Sequence, residues 1–255
     1  MKILQHELRQ GRLSWIIWTA ILTVTMVLNV LLYPLMDSTF SELGAMEGME
    51  DLDLSSLVFD YSQYYASQCE GNLGLGGVLF AALLAAGMLA KEERNRTAEF
   101  LFSHPVSRVR VVLETAAAVL AQIVLLNAAI FLCSVGATAI IGQAVPWKAM
   151  GLIHLTAMLG QIHIAGICLL LSAFVRKGSA GIGLGVALGM YLIYFISLIT
   201  EKNEFLQFIT PFGYMSSMKI VSDGAPDWIK IAVGMNVCAL CVAGACMKYR
   251  KKDLN

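Results

Sequence analysis

The residues of this chain that could do chemistry are few and widely spaced. His154 and His163 stand nine positions apart, so on a helix turning about 100° per residue they project roughly 180° from each other. They cannot share a metal ion. Cys238 and Cys241 are one helical turn apart, yet nothing near them completes a four-ligand site. The stretch from Asp37 to Glu70 carries eight acids and no Lys or Arg, but the acids scatter without the ligand spacing of a calcium loop. Gly181-Ile-Gly-Leu-Gly185 looks like a phosphate-binding turn but lacks the Lys-Ser/Thr that such a turn needs. The pattern G-x-x-x-x-G-K-[ST] occurs nowhere in the chain. The expectation is therefore no catalytic constellation, no metal site and no bound cofactor.

The elements that hold these residues are apolar. Hydrophobic residues make up 58% of the chain and charged ones 14%, against about 25% charged in a soluble domain. About 20 apolar residues cross a ~30 Å hydrocarbon core. Six runs are that long: roughly Trp15–Met36, Gly71–Ala90, Val111–Ile141, Ala149–Phe174, Gly181–Ile199 and Trp228–Met247. The third is overlong, so it tilts, breaks or emerges early. Basic residues gather on alternate polar segments. With the N-terminus inside, 14 of the 18 Lys and Arg fall on the inner side and 12 of the 18 acids on the outer. Insertion opposes translocating Lys and Arg beside a span. The reading is an all-α, polytopic membrane protein with six transmembrane helices, one transmembrane domain over residues 1–255, both termini cytoplasmic, the lipid bilayer as its medium and no nucleic-acid partner. Of six cysteines only Cys69 falls in an outer loop, so there is no disulfide framework.

Residues 1–13 set Ile3, Leu4, Leu8 and Leu13 against Lys2, Gln5, Arg9 and Arg12, a pattern that suits a helix lying in the headgroup region. Residues 37–70 form an extracytoplasmic loop, with Tyr61, Tyr64 and Tyr65 on short surface helices. Residues 200–227 form a second outer segment. Gly181, Gly185 and Gly189 recur every four residues and would let two helices approach closely, since packing drives association in lipid. Asn29, Gln122, Asn127, His154, Gln161 and His163 lie within spans, as does Asn236. Such groups usually face the bundle interior, where they bond between helices or line a substrate path.

Residues 91–110 read KEERNRTAEFLFSHPVSRVR. Glu92, Glu93 and Glu99 alternate with Lys91, Arg94 and Arg96, Phe100 and Phe102 form an apolar knob, and the helix breaks near Pro105. Ser107 is placed to cap the third span. A charged stub of helix with an aromatic knob suits a cleft on a partner protein; the alternative is that the aromatic run dips back into the membrane interface.

This segment also carries a resemblance. Glu92-Glu93, then Thr97-Ala98-Glu99-Phe100-Leu101 and Pro105-Val106-Ser107-Arg108, is similar to the signature of ABC-2 type permeases, the six-helix membrane subunits of ABC exporters. The small bacterial branch that includes the bacitracin and lantibiotic-immunity, sodium-efflux and nitrous-oxide-reductase maturation permeases resembles it. Phe208-Ile-Thr-Pro-Phe-Gly-Tyr214 resembles the element before that family's last helix. The chain departs from it at Arg96, where many relatives have Gly, and at Glu114-Thr115, where many have Lys. The resemblance implies a permease subunit of the bacterial plasma membrane, not itself an enzyme, working with a separate ABC ATPase that binds the ATP and with a second permease copy or paralogue. Residues 91–110 would be the coupling helix between spans 2 and 3, engaging the ATPase through Glu92, Glu93, Thr97, Glu99, Phe100, Phe102, Pro105 and Arg108. Arg176 and Lys177, between the fourth and fifth spans, would make a smaller contact. Two alternatives stand beside it. Glu92-Glu93 and Phe100-x-x-x-His104 resemble elements of CAAX-type intramembrane proteases, although Thr97 fills their Arg position. A non-transporting membrane scaffold or sensor is the other.

Overall fold

The computed structural model describes residues 2–44, 60–94, 107–175, 179–199 and 201–250. Among these, six helical spans are long and apolar enough to cross a membrane, and no strand occurs. They are α1 (Lys2–Gly44), then α2 (Tyr61–Cys69), which runs through a π-helical turn at Glu70–Gly76 into α3 (Gly77–Arg94) as one span, then α4 (Arg108–Ile140), α5 (Trp147–Ser172) and α6 (Ser179–Ile199). The sixth is α9 (Trp228–Arg250). Between α6 and α9 come a 3₁₀ helix at Glu201–Phe208 and two short helices, α7 (Phe212–Met215) and α8 (Ser217–Asp223).

Apolar residues point both inward and outward, as hydrocarbon solvent permits. On α1, Leu22, Met26, Val30 and Tyr33 recur at helical spacing and are buried, while Ile21, Val24, Leu28, Leu32 and Leu35 are exposed. About two-thirds of the apolar window of α2–α3 and of α5 is buried, against 17–39% for the other four. The α2–α3 span and α5 therefore form the middle of the bundle, with α1, α4, α6 and α9 around them.

Two boundaries differ from the sequence reading. Residues 2–13 do not form a separate surface helix, because α1 passes through them unbroken. Its 43 residues extend roughly 65 Å. The cause is local: Leu4 N–H donates to Glu114 at 3.2 Å, Glu7 is buried, and Trp15 Nε1 donates to the Gln122 carbonyl at 3.0 Å. These contacts hold the stretch along α4. The second span begins at Tyr61 rather than Gly71, so 60–70 belongs to the bundle and not to an outer loop. Tyr61, Tyr65, Ala66 and Cys69 are buried there. The overlong third run is one unbroken helix of 33 residues, started by Ser107, whose hydroxyl accepts from Arg110 N–H at 3.3 Å.

The close helix approach in α6 also lies elsewhere than expected. A methyl group added at Gly181, Gly185 or Gly189 would meet nothing within 4 Å, whereas one at Gly183 would stand 2.7 Å from the Ala82 carbonyl and 2.9 Å from Ala86 Cβ. Within the chain, Gly183 is the residue that lets α6 pack on α3. The other three glycines face outward.

Candidate functional site

Two regions contain the residues singled out by the sequence: the basic end of the bundle, where a coupling segment would sit, and a seam of polar side chains within the spans.

At the basic end, Glu92 and Glu93 fall in the last turn of α3, and Arg108 opens α4. Thr97, Glu99, Phe100, Phe102 and Pro105 lie outside the described residues, as do Arg176 and Lys177. Glu114 stands one turn along α4 from Arg110 and accepts its guanidinium at 2.8 Å while also taking the Leu4 N–H. This departure from the family pattern ties the first turns of α1 to the first turns of α4. An acid on this helix face was visible in the sequence; its partner on α1 was not.

The seam is built around α5. Gln161 Nε2 donates to the Leu73 carbonyl at 3.1 Å, and Gln161 Oε1 accepts from Asn127 Nδ2 at 2.7 Å. One side chain thus joins α4, α5 and the π-helical turn. That turn offers Leu73 because a π-helix departs from the i→i−4 pairing of its neighbours. Gly77 makes room, since a methyl group there would lie 2.1 Å from Gln161 Nε2. Asn72, in the same turn, donates to the Leu22 carbonyl of α1 at 3.1 Å.

Nearer the acidic end, Tyr65 and His154 Nε2 share a hydrogen bond of 2.7 Å, and Tyr61 and Thr138 one of 2.5 Å. Tyr64 donates to the Asn29 carbonyl at 2.7 Å. Tyr33 packs edge-on against Tyr61, with ring centres 5.0 Å apart, a geometry that the ring quadrupole favours. Four tyrosines therefore join α1, α2, α4 and α5.

His163 meets a different partner. Its Nδ1 lies 3.2 Å from the Tyr214 hydroxyl and the two rings are stacked 7° from parallel. Tyr214 belongs to α7, the Pro211-Phe-Gly-Tyr element, whose Phe212, Gly213, Tyr214 and Met215 are all buried. Burial raises the Tyr214 pKa, so its hydroxyl stays protonated. Gly234 of α9 passes close to both rings, with a would-be methyl 2.9 Å from His163 Nδ1. Outside the spans, Asp227 accepts from Lys230 Nζ at 3.2 Å, and Lys230 also donates to Gln207 Oε1 at 3.1 Å. Partial burial pushes the Asp227 carboxyl upward, but hydrogen bonds and charge from Lys230, with the Ile229 N–H, outweigh it and hold it below its ordinary range.

The six candidate path residues thus divide. Asn127 and Gln161 bond to each other, His154 and His163 each bond a tyrosine, and Gln122 donates to the Ala118 carbonyl of its own helix at 3.4 Å while its side chain lies against Gly11. Asn29 contributes its carbonyl. In this conformation the side chains of Asn127, Gln161, His154 and His163 join helices. The sequence reading missed Tyr65 and Tyr214 as partners of the two histidines and Tyr64 as that of the Asn29 carbonyl, along with the separate contacts of Tyr61 with Thr138 and of Asn72 with Leu22. The four-residue spacing Tyr61, Tyr65, Cys69 was the available signal, since it places three side chains on one helix face.

The arrangement is that of a helical bundle joined by buried polar contacts across its middle. Among curated proteins, none matches the chain. Residues 1–254 match the family described as ABC-2 family transporter protein, and with nearly its whole length matched the chain belongs to that family of membrane transporter permeases.

Proposed function

We propose that this chain is the membrane subunit of an ABC exporter of the bacterial plasma membrane, with both termini cytoplasmic, driven by ATP hydrolysis on a separate ATPase. The observation that carries this reading is the family match over residues 1–254. It is supported by the basic bias of one face and by a sequence without a phosphate-loop motif. Two permeases and two ATPases form the working unit. Residues 91–110 are the ATPase contact, with Phe100 and Phe102 as apolar anchors and the surrounding charges setting register; Arg176 and Lys177 add a smaller one.

The transmission route follows the helices that flank this segment. Force on it reaches α3 and α4, and through them the Gln161 seam. Several buried acceptors and donors, including Asn127 Oδ1 and His163 Nε2, have no hydrogen-bond partner among the described residues. A seam with spare valences costs stability in the present packing, which favours a second arrangement of the same helices. ATP must favour one arrangement by a few kcal/mol to change its population substantially.

The test is purification of the tagged chain from its host in mild detergent. The expected result is a stoichiometric ATPase partner, lost in Phe100→Glu while membrane insertion and expression persist. Burying a Phe is worth roughly 1.5–3 kcal/mol, and a buried unpaired carboxylate adds to the loss. Unchanged association of Phe100→Glu would refute the contact. A preparation that never holds an ATPase would overturn the exporter reading and favour a scaffold or sensor.

A further inference from the structure

α7 sits deeper than its place in the chain suggests. The chain leaves α6 at Ile199 and enters α9 at Trp228, both at the end of the bundle opposite residues 91–110. Between them Tyr214 reaches Gly234 of α9, where a methyl group would lie 3.1 Å from its hydroxyl. At 1.5 Å per residue that is roughly 9 Å inward from Trp228. The Thr210 hydroxyl donates to the Met190 carbonyl at 3.0 Å, roughly 14 Å inward from Ile199. Residues 210–215 therefore dip into the bundle and return, with Phe212, Gly213, Tyr214 and Met215 buried.

α8 then starts without a cap of its own. Ser216 occupies the N-cap position, yet its side chain makes no capping bond. A serine there ordinarily accepts a backbone N–H of the first turn. Here its hydroxyl donates instead to Glu70 Oε1 at 3.0 Å, and the same oxygen takes the Met218 N–H at 3.3 Å. A carboxylate from another helix has replaced the local cap. Glu70 is exposed, so its role is these two bonds rather than packing. It opens the π-helical turn of the second span, and from there to Arg94 the backbone stays helical for about 36 Å, as far as the 91–110 segment.

We propose that Glu70 is a positioning residue that carries movement of the second span to the re-entrant α7–α8 segment. The inference rests on the ATPase reading given above. Displacement at residues 91–110 reaches Glu70 along α3, and Glu70 draws the first turn of α8 with it. The segment is anchored on α6 by Thr210, on α5 by the contact of Tyr214 with His163, and on the second span by Glu70. The last anchor belongs to the span that ends at the ATPase contact, so its motion shifts Tyr214 against His163 through a contiguous set of bonds.

The contact is tested on the chain alone in nanodiscs, by hydrogen exchange at the Met218 amide. Glu70→Ala should speed that exchange on the order of ten-fold, the worth of a hydrogen bond to a charged group. Glu70→Gln keeps an acceptor at Oε1 and should exchange close to the native rate. Equal exchange in Glu70→Ala and the native chain would overturn the proposal. The complex with the ATPase separates positioning from packing. A non-hydrolysable ATP analogue should change exchange at 85–94 and at 210–218 together. In Glu70→Ala the ATPase should stay bound and the response at 85–94 persist, while that at 210–218 is lost and Glu70→Gln restores it. An undiminished response at 210–218 in Glu70→Ala, or none there in the native complex, would overturn the coupling alone. A chain that holds no ATPase would overturn it together with the reading on which it rests.

Discussion

Replacing Gly77 with alanine puts a methyl group where Gln161 now lies. The added carbon would stand 2.1 Å from Nε2 and 2.9 Å from Cδ, so the side chain must leave, and with it go the bonds to Leu73 and Asn127. Interhelical hydrogen bonds in lipid average ~0.6 kcal/mol and reach ~1.7. Stranding the buried Leu73 carbonyl costs a further ~1–3 kcal/mol. Alanine returns about 1 kcal/mol of helix propensity over glycine. The net loss is about 1–3 kcal/mol, or roughly 2–4 °C in Tm for each kcal/mol in a chain of this size. The decisive comparison is a double-mutant cycle. In a Gln161→Ala background the obstructing atoms and both hydrogen bonds are already gone, so Gly77→Ala should become neutral or stabilising. A coupling of at least about 1 kcal/mol is then expected, measured by thermal unfolding in mild detergent. Additive effects of the two substitutions would show that Gly77 does not serve Gln161, and would remove the account of the seam given above.

Two further outcomes test the packing and the outer junction. Gly183→Val should lower thermal stability sharply, because its Cβ meets the Ala82 backbone, whereas Gly185→Ala, with nothing within 4 Å, should be neutral or stabilising by up to about 1 kcal/mol; equal losses in the two would refute the assignment of the α3 contact. Asp227 is held below its unfolded pKa of about 3.9, so the stability it lends is present above that pH and is lost as pH falls through its lower folded value. Asp227→Asn should therefore be less stable than the native chain at pH 7 and match it at strongly acid pH, and a difference that persists in acid would refute the Lys230 pairing.

Most of the membrane architecture was legible in the sequence because hydrocarbon imposes it through composition. The last span begins at Trp228 as expected, and the fifth ends at Ile199. The start of the second span was not legible, since Tyr61-Ser-Gln-Tyr-Tyr-Ala-Ser-Gln-Cys reads as polar. These residues enter the bundle because their hydroxyls find Thr138, His154 and Asn29 on other helices, and sequence spacing on one helix does not reveal partners on three others. The same reason hid Gly183. A repeat of glycines marks a face that can approach a neighbour, but the neighbour sits one residue pair away, over Ala82 and Ala86. Polar residues within apolar runs stand out one by one in a sequence, but the pairing of Asn127 with Gln161 or of His154 with Tyr65 needed the fold.

The π-helical turn at Glu70–Gly76 has a consequence for rotational register. A π turn spreads its backbone over more residues than the α-helix around it, so it acts as a one-residue dislocation in the second span. Deleting a residue such as Gly71 would let an ordinary helix run through. Everything on its outer side would turn by about 100° and shift by about 1.5 Å relative to the inner half. Tyr61 and Tyr65 would rotate off Thr138 and His154, and Gln161 would lose the Leu73 carbonyl that the π turn offers, while Gly183 kept Ala82 and Ala86 below. The span is thus two screws of the same pitch set out of phase, each engaged by different threads of the bundle.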